Sequence, residues 1–237
     1  MAKLSKRQKA LAELFDSASS FGPREGVELA RKAATAKFDE TIEAHFRLGI
    51  NTRHADQQVR STVVLPAGTG KTVRIAVITK GERIKEAEGA GADFVGSDEM
   101  IAKIEGGWMD FDLLIASPDI MGALGKLGKV LGPRGLMPSP KAGTVTTEVG
   151  KAVREFKAGK VEFRADKQGI VHVPVGKASF DEDRLYTNLG ALFDAINKVK
   201  PAAAKGTYIR SVFLTSTMGP SVRLDLQRLN ELAGVNK

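Results

Sequence analysis

The chain has 237 residues, of which 42% are hydrophobic, 27% are charged and none is cysteine, and its formal net charge is +8 at pH 7. This composition is typical of a folded globular protein, and it excludes disulfide frameworks, thiolate zinc sites and cysteine nucleophiles. The basic excess favours a polyanionic partner. No apolar run approaches the roughly 20 residues that a membrane-spanning helix needs, so we expect no membrane association.

The first 40 residues predict two helices. Apolar residues from Leu4 to Phe15 recur at helical spacing, while Glu13 and Asp16 interrupt the apolar stretch that a signal peptide would need. Pro23 then stands near the start of a second amphipathic segment, where proline fits the first turn of a helix.

The segment DETIEAHFRLGI at 39–50 predicts a strand with one buried face. The alternation is clean, with one apolar and one polar set: Ile42, Ala44, Phe46 and Leu48 against Thr41, Glu43, His45 and Arg47. One face of this strand should therefore stay polar.

The pattern changes between about Pro66 and Gly159. Short apolar runs (VRIAVI, ADFVG and FDLLIAS) are separated by the helical segments GERIKEAEGA and DEMIAKIEGG, which is typical of a parallel α/β sheet. The stretch from Asp119 to Gly143 is rich in Gly and Pro and predicts a helix followed by a long ordered loop. TTEVGKAVREFKAG predicts a further helix.

The last third returns to alternating strands. KVEFRADKQGIVHVPVGK contains two alternating runs around Asp166–Gly169, which predicts a hairpin. Ser179 and Glu182 have the spacing of a capping box ahead of a helical pattern that ends near Pro201. TYIRSVFLTST has apolar residues on both faces, as in a central strand, and the tail from Asp225 predicts a short last helix.

Alternating strands at both ends enclose the parallel α/β pattern, so we expect an inserted domain. The outer domain would comprise residues 1–65 plus 160–237, and the inserted domain residues 66–159. The outer pieces contain 23 Lys and Arg against 16 Asp and Glu, or +7, whereas the insert contains 13 against 12, or +1. We therefore expect the polyanion on the outer domain.

Two features could suggest a cofactor or catalysis, but their context argues against both. LPAGTGKT at 65–72 looks like a phosphate-binding loop, yet Leu65 stands where the pattern has glycine, and the following VRIAVITK predicts a strand instead of the required helix. We interpret it as a Gly-rich interdomain hinge. His45, His54 and His172 lack metal-ligand spacing, and we predict no metal, no cofactor and no enzymatic activity.

Two segments each have two interpretations. Residues 124–145 carry four cations and no acid, and they either contact RNA or form a structural loop that caps the inserted domain. TSTMGPS at 215–221 offers hydroxyls, a flexible Met and a close-approach Gly to RNA sugar and base edges, or it forms a plain turn between two strands.

Six segments follow one another along nearly the whole chain: FDETIEAHFRLGIN, GADFVG, GWMDFD, LGKVLGPRGLMPSPKAGTV, VPVGKASF and GTYIRSVFLTSTMGPSVRLD. Together they resemble the universal L-one family of large-subunit ribosomal proteins, in its bacterial form. The resemblance implies an α/β protein of two domains joined by a flexible hinge. Both termini build an outer α+β domain with a split β-α-β type sheet and helices, and the inserted domain is a Rossmann-like three-layer α/β domain.

The resemblance also implies a function in translation. It implies binding to large-subunit (23S-type) rRNA at the mobile stalk next to the exit site, assisting release of deacylated tRNA. It further implies repression of translation through a leader in the protein's own messenger that mimics the ribosomal site. We expect a cytoplasmic, ribosome-bound protein that has no cofactor and is monomeric when free.

The resemblance assigns RNA contacts to two elements of the outer domain. Carried over by match, they are Lys37, Phe38, Thr41 and Glu43 on the first element, and Ser211, Thr217, Met218 and Gly219 on the second. Arg164 and Lys167 on the predicted hairpin would contact phosphates, which position RNA without specifying sequence. Because phosphate would repel Glu43, this side chain should accept from ribose 2′-hydroxyls or base amines.

Two other functional classes stay open on these residues. One is a nucleotide-dependent enzyme that uses LPAGTGKT, which a nucleotide-binding assay would support. The other is a non-ribosomal RNA chaperone or messenger regulator on the same fold, which co-sedimentation with large subunits would separate from a ribosomal protein.

Overall fold

The computed structural model describes residues 5–16 and 18–232, and it divides into two compact units. The outer unit contains the described residues up to Gly70 and from Val161 onward, and the inserted unit is Lys71–Lys160. The expected domain boundaries at 65/66 and 159/160 lie a few residues before these junctions. Leu4 of the first predicted helix lies outside the described residues.

The elements follow the chain in three groups. The outer unit begins with α1 (Lys6–Leu14), β1 (Ser20–Phe21), α2 (Pro23–Lys32), β2 (Thr41–Leu48) and β3 (Arg60–Val64). The inserted unit contains β4 (Ile75–Ile78), α3 (Arg83–Gly89), β5 (Phe94–Gly96), α4 (Asp98–Glu105), β6 (Leu113–Ala116), α5 (Met121–Leu124), α6 (Gly128–Leu131) and α7 (Val149–Lys157). The chain returns with β7 (Lys160–Arg164), β8 (Ile170–Lys177), α8 (Glu182–Lys198), β9 (Ile209–Ser216), β10 (Ser221–Leu224) and α9 (Leu226–Leu232).

A five-stranded sheet of order β1-β10-β9-β2-β8 organises the outer unit. Strand β2 lies between β8 and β9 and is antiparallel to both, so β8 and β9 are parallel to each other with β2 between them. Helix α8 connects β8 to β9, which makes the split β-α-β arrangement that the resemblance implies.

One face of this sheet is buried against helices α2 and α8. The alternation predicted for β2 is confirmed, because Ile42, Ala44, Phe46 and Leu48 are all buried in the core of the outer unit. Val27 of α2 and Leu189 of α8 belong to the same core. The polar positions of β2 therefore face away from these helices.

The inserted unit has the predicted parallel α/β sheet, with strand order β5-β4-β6. All four residues of β4 are buried, since helices lie on both faces: α3 and α7 pack on one side, and α4 packs with α5 and α6 on the other. Strand β4, not a helix, follows Lys71, which removes the helix that a phosphate-binding loop at 65–72 would need.

The predicted hairpin around Asp166–Gly169 is only partly correct. The turn is present, because the Gly169 N–H donates to the Asp166 carbonyl and the Asp166 N–H donates to that of Ile170. The prediction that β7 and β8 pair with each other is wrong beyond the single bridge Ala165–Val171. Instead, β7 pairs with β3 and β8 pairs with β2. The two strands diverge into different sheets after the turn.

The predicted capping box is wrong. Helix α8 begins at Glu182 with Asp181 as N-cap, and no side chain caps it. The Ser179 hydroxyl instead donates to the Asp39 carboxylate at 2.8 Å, and the Ser179 N–H donates to the same group at 3.1 Å. A tertiary acceptor has replaced the local one that the spacing suggested.

An irregularity in β8 is stabilised by a buried amide of α8. The register shifts between Ile42 and Glu43, so Val175 has no partner on β2. The Asn188 side chain, fully buried, donates to the Val175 carbonyl at 2.8 Å and to the Gly68 carbonyl at 2.9 Å. The same side chain also accepts from the Ala67 N–H at 2.9 Å. Asn188 thus joins the two chain segments of the outer unit, the one that ends at Gly70 and the one that begins at Val161.

Replacing Asn188 by Ala should lower the free energy of unfolding by about 2 to 3 kcal/mol, because three backbone groups lose their partner. Urea denaturation followed by far-ultraviolet circular dichroism measures this loss. The control is Asn197→Ala, the same change at an exposed position of α8, for which we expect a change within about 0.5 kcal/mol. Equal effects at both positions would contradict the assigned role of Asn188.

Candidate nucleic-acid interface

The start of β2 and the turn between β9 and β10 lie against each other. The Thr41 N–H donates to the Thr217 hydroxyl at 3.0 Å, and that hydroxyl lies 3.3 Å from the Thr41 carbonyl, to which it donates. Because β2 and β9 are antiparallel neighbours, the end of one strand meets the beginning of the other. We call residues 36–41 the entry loop and residues 217–220 the TMGP turn.

Glu40 joins these two segments from inside. Its side chain is 1% exposed, and its carboxylate accepts from the Ala36 N–H and the Met218 N–H, both at 2.8 Å. Burial, the largest single influence, opposes ionisation, but the two backbone hydrogen bonds, the Ser216 side chain and the Arg7 guanidinium 3.7 Å away together lower the pKa of Glu40. One buried charge thus sets the spacing between the entry loop and the TMGP turn.

Arg7 attaches helix α1 to the TMGP turn and to Thr35, just before the entry loop. Its guanidinium donates to the Met218 carbonyl at 3.2 Å and to the Thr35 hydroxyl at 3.1 Å. Met218 is therefore fixed at its N–H by Glu40 and at its carbonyl by Arg7, while its side chain is 56% exposed. The backbone of the turn is held while the thioether remains available to a ligand.

The other side of the entry loop is held by β8 and the residues after it. Asp39 accepts from Ser179, as described above, and the Lys177 ammonium donates to the Thr41 hydroxyl at 2.9 Å. Both carboxylates of the loop are thus used internally, and Lys37 and Phe38 stay exposed, Phe38 by 55%.

Gly219 provides a close approach in the TMGP turn. A Cβ at this position would lie 2.3 Å from the Ser216 hydroxyl oxygen and 3.3 Å from the Ala33 carbonyl oxygen. The main conflict is thus with Ser216 at the end of β9, so a larger residue at 219 would require the Ser216 side chain or the turn to shift. TSTMGPS is a turn between two strands, so the plain interpretation of its structure is correct, and its tip is exposed at Thr217 and Met218.

The polar face of the sheet, which we call the open face, continues from this cluster along β2. Glu43 lies opposite Thr215 on β9, and Arg47 lies opposite Ser211. Thr41 and Arg47 are six residues apart on the strand, or about 20 Å. The open face is thus a surface about as long as β2. At one end of it lie the entry loop and the TMGP turn, which together we call the loop–turn cluster.

The remaining two predicted residues do not join the loop–turn cluster. Lys167 is exposed in the turn before β8, where its carbonyl accepts from the Thr52 hydroxyl at 2.7 Å. Arg164 is exposed at the end of β7, in the two-stranded sheet. Because Ile170 of β8 pairs with Arg47, the turn that carries Lys167 lies toward the Arg47 end of β2, as Ser211 does.

Sequence reasoning missed the residues that hold the site together. Glu40, Asp39, Ser179 and Arg7 were not predicted to take part, and burial of a carboxylate in a basic domain leaves no periodic signal. The adjacent acidic residues Asp39 and Glu40 before a strand offered a hint, since buried charges must find donors.

The described parts of the chain contain neither a metal-binding cluster nor a helix that could span a membrane. Within residues 5–16 and 18–232, no three His, Asp or Glu side chains lie together as a cation site, and no helix is long and apolar enough to cross a bilayer. Chemically, the surface offers an exposed cation, an exposed aromatic ring, hydroxyls and an acceptor carboxylate.

Comparison with known proteins identifies relatives over almost the whole length. The model of the family described as "Ribosomal protein L1p/L10e family" matches residues 30–220. The large ribosomal subunit protein uL1 of Gloeobacter violaceus is 59% identical over 232 residues, which cover 98% of this chain and 98% of that protein. Both findings agree with the resemblance inferred from the sequence.

The substitution Glu40→Gln should destabilise the fold at neutral pH by about 2 kcal/mol, because an amide nitrogen replaces one acceptor and faces a backbone N–H. The folded-state pKa of Glu40 is lowered, so its contribution is present above the ordinary carboxyl pKa and is lost as pH falls through the folded-state value. Urea unfolding of both proteins at several pH values should therefore show the difference shrinking in acid.

Glu182→Gln is the matched control, because Glu182 is an exposed carboxylate paired with Arg31. Exposed pairs contribute little, so we expect a change near zero at every pH. A Glu40→Gln protein as stable as the parent at neutral pH would show that the loop and turn do not depend on this carboxylate.

Proposed function

The chain belongs to the ribosomal protein L1p/L10e family, and we propose that it binds 23S-type rRNA at the mobile stalk of the large ribosomal subunit, next to the exit site. It is a ribosomal protein and not an enzyme, as the sequence predicted, and its place is the ribosome in the cytoplasm. Of the two competing classes, the enzyme is excluded by the family. The non-ribosomal RNA regulator is tested by co-sedimentation with large subunits.

The observation that supports RNA binding most strongly is the convergence of the entry loop and the TMGP turn. Two segments 176 residues apart are joined by hydrogen bonds between Thr41 and Thr217 and through Glu40. Both present their side chains outward, including the exposed Phe38 and Met218. A surface held rigid before binding loses little conformational entropy when RNA binds.

The side chains of this cluster contact different chemical groups of the RNA. Lys37 neutralises a phosphate, and Phe38 offers an aromatic ring on which an unstacked base can stack. Thr41, Thr217 and the backbone at Gly219 approach ribose hydroxyls in the shallow minor groove of the RNA. Met218 fills irregular apolar space against sugars and bases.

Glu43 has a separate role on the open face. Since phosphate would repel its carboxylate, it accepts from ribose 2′-hydroxyls or from base amines. A DNA strand lacks the 2′-hydroxyl, and so Glu43 also favours RNA over DNA.

At the other end of β2, Ser211, Arg164 and Lys167 provide the second anchor. The two cations contact phosphates and fix the orientation of the RNA, and Ser211 contacts sugar or base edges. A folded RNA that touches both ends follows the open face for about 20 Å. This distance is longer than a single nucleotide, so the RNA must contact the face through several of its nucleotides.

We assign RNA binding to the outer domain, residues 1–65 plus 160–237, and a role in release of deacylated tRNA to the inserted domain, residues 66–159. The charge difference of +7 against +1 supports the first assignment. The second is supported by the cationic stretch 124–145, in which Lys126, Lys129 and Arg134 are exposed.

The same surface explains repression of the protein's own messenger. A leader that mimics the stalk would occupy the entry loop, the TMGP turn and the open face, so it competes directly with rRNA. The protein, monomeric when free, represses translation only when it exceeds the available rRNA sites.

Replacing Met218 by Ala should weaken binding of a stalk-derived rRNA fragment by about tenfold, or ~1.4 kcal/mol. Stability should change little because the side chain is mostly exposed. The control is Val64→Ala, which truncates an apolar side chain that is 47% exposed on β3, in the two-stranded sheet. Unchanged affinity in a folded Met218→Ala protein would refute the assigned contact.

Salt dependence tests the second anchor. Replacing Arg164 and Lys167 together by Ala should reduce the slope of log affinity against log salt by about 1.4 to 1.8, since each phosphate contact contributes about 0.7 to 0.9. The matched control removes two exposed cations, Lys198 at the end of α8 and Lys200 just after it, with no expected change in slope. Equal slopes for both double variants would contradict the anchor.

A further inference from the structure

Two histidines meet directly at the centre of the open face. His45 on β2 and His172 on β8 are cross-strand partners, and their Nδ1 atoms are 2.8 Å apart. The ring centroids are 4.9 Å apart with planes inclined at 64°, so the contact is edge-on and lies along a hydrogen bond instead of a stack. His45 is half-buried, whereas His172 is exposed.

This geometry permits one proton between the two Nδ1 atoms. A neutral imidazole has one N–H and one acceptor nitrogen, so one ring donates and the other accepts. If both rings were protonated, each Nδ1 would carry a hydrogen, and two donors would face each other. The observed pair therefore carries at most one positive charge. A proton on the accepting Nδ1 atom would force the two rings apart.

The surroundings make the second proton unfavourable until an anion arrives. Burial, followed by the neighbouring His172, lowers the pKa of His45, although Glu43 acts in the opposite direction. On the other side, His172 Nε2 lies 3.6 Å from the Asp166 carboxylate. The charged groups on the elements around the pair are Glu43 and Arg47 on β2, Asp166 in the turn before β8, Lys177 at the end of β8, and Arg223 on β10 beyond Phe213 of β9.

The pair lies between residues assigned to RNA contact. Glu43 is two positions before His45 on the same face of β2, and Ser211 lies opposite Arg47, two positions after it. An RNA that touches both Glu43 and Ser211 must pass over the His45–His172 row. This step rests on the proposed function, because it uses the contact residues assigned there.

We propose that His45 and His172 form a proton-linked phosphate site, in which the pair takes up one proton from solvent when a phosphodiester group of the RNA binds. The proton binds the Nδ1 atom that accepted the hydrogen bond, the Nδ1–Nδ1 hydrogen bond breaks and the rings separate. The pair then consists of one imidazolium and one neutral imidazole, and each ring donates its Nδ1–H to a phosphate oxygen. The site adds one charge-assisted and one neutral hydrogen bond that the unbound face does not offer.

The direction of the pH dependence follows from this balance. RNA binding raises the proton affinity of the pair. The contribution of the added proton to RNA affinity is therefore complete at pH values below those at which the pair loses this proton in the free protein, and it is lost as pH rises through the values at which the complex loses it. Between these limits, affinity should fall by about tenfold per pH unit for one linked proton.

The test measures binding of the stalk-derived rRNA fragment by the full chain between about pH 5.5 and about pH 8.5 at constant ionic strength. Titration calorimetry in buffers of different ionisation enthalpy counts the protons taken up. The variants are His45→Asn, His172→Asn and the double substitution, and the control is His54→Asn, which changes an exposed histidine outside the strands. Asn keeps a polar group of similar reach but does not titrate.

We expect uptake of close to one proton by the parent and by His54→Asn, and its loss in the other three variants, which should bind as the parent does at high pH within about threefold. A parent protein that binds selectively with no proton uptake overturns the inference. So does uptake that persists in the double variant, since it would then come from the RNA. Failure to bind the fragment selectively at any pH would instead refute the proposed function.

Discussion

The pairing of β2 on both edges is the constraint on which the rest of the outer unit depends. Its partners β8 and β9 both come from beyond the inserted unit, so the sheet cannot close until the chain has returned. The buried side of β2 is apolar at every second position, and a slip by one residue would turn Phe46 to solvent and Glu43 into the core. The register that protects the core therefore also sets the polar rows of the open face.

Glu40 extends this constraint from the sheet to its loops. A buried carboxylate without donors would be strongly unfavourable, yet here two backbone N–H groups and a nearby guanidinium compensate for desolvation. Those N–H groups belong to the two segments that carry the exposed Phe38 and Met218, the most exposed large hydrophobic side chains in the described ranges. The internal charge thus allows apolar groups to stay in water at fixed positions, where a partner can cover them.

Much of the fold could be predicted because its signals are local and periodic. The alternation of β2, the parallel α/β pattern of the insert and the helices at 23–32, 149–157 and 182–198 follow from spacing alone. Family resemblance supplied the contact residues, and spacing did not. The failures have one cause: Asp166 and Ser179 carry good local signals for a hairpin and a cap, but tertiary partners decided where β7 pairs and which acceptor Ser179 uses.

Net charge alone does not explain selectivity for one RNA, because phosphates are the same in every sequence. The open face combines a few cations with neutral hydroxyls, one carboxylate and the histidine pair, so it is not uniformly positive. A histidine pair that shares one proton is nearly neutral toward an arbitrary polyanion and becomes cationic only where a phosphate comes close enough to separate the rings. Such a face penalises loose electrostatic binding and favours an RNA whose backbone follows the rows of β2.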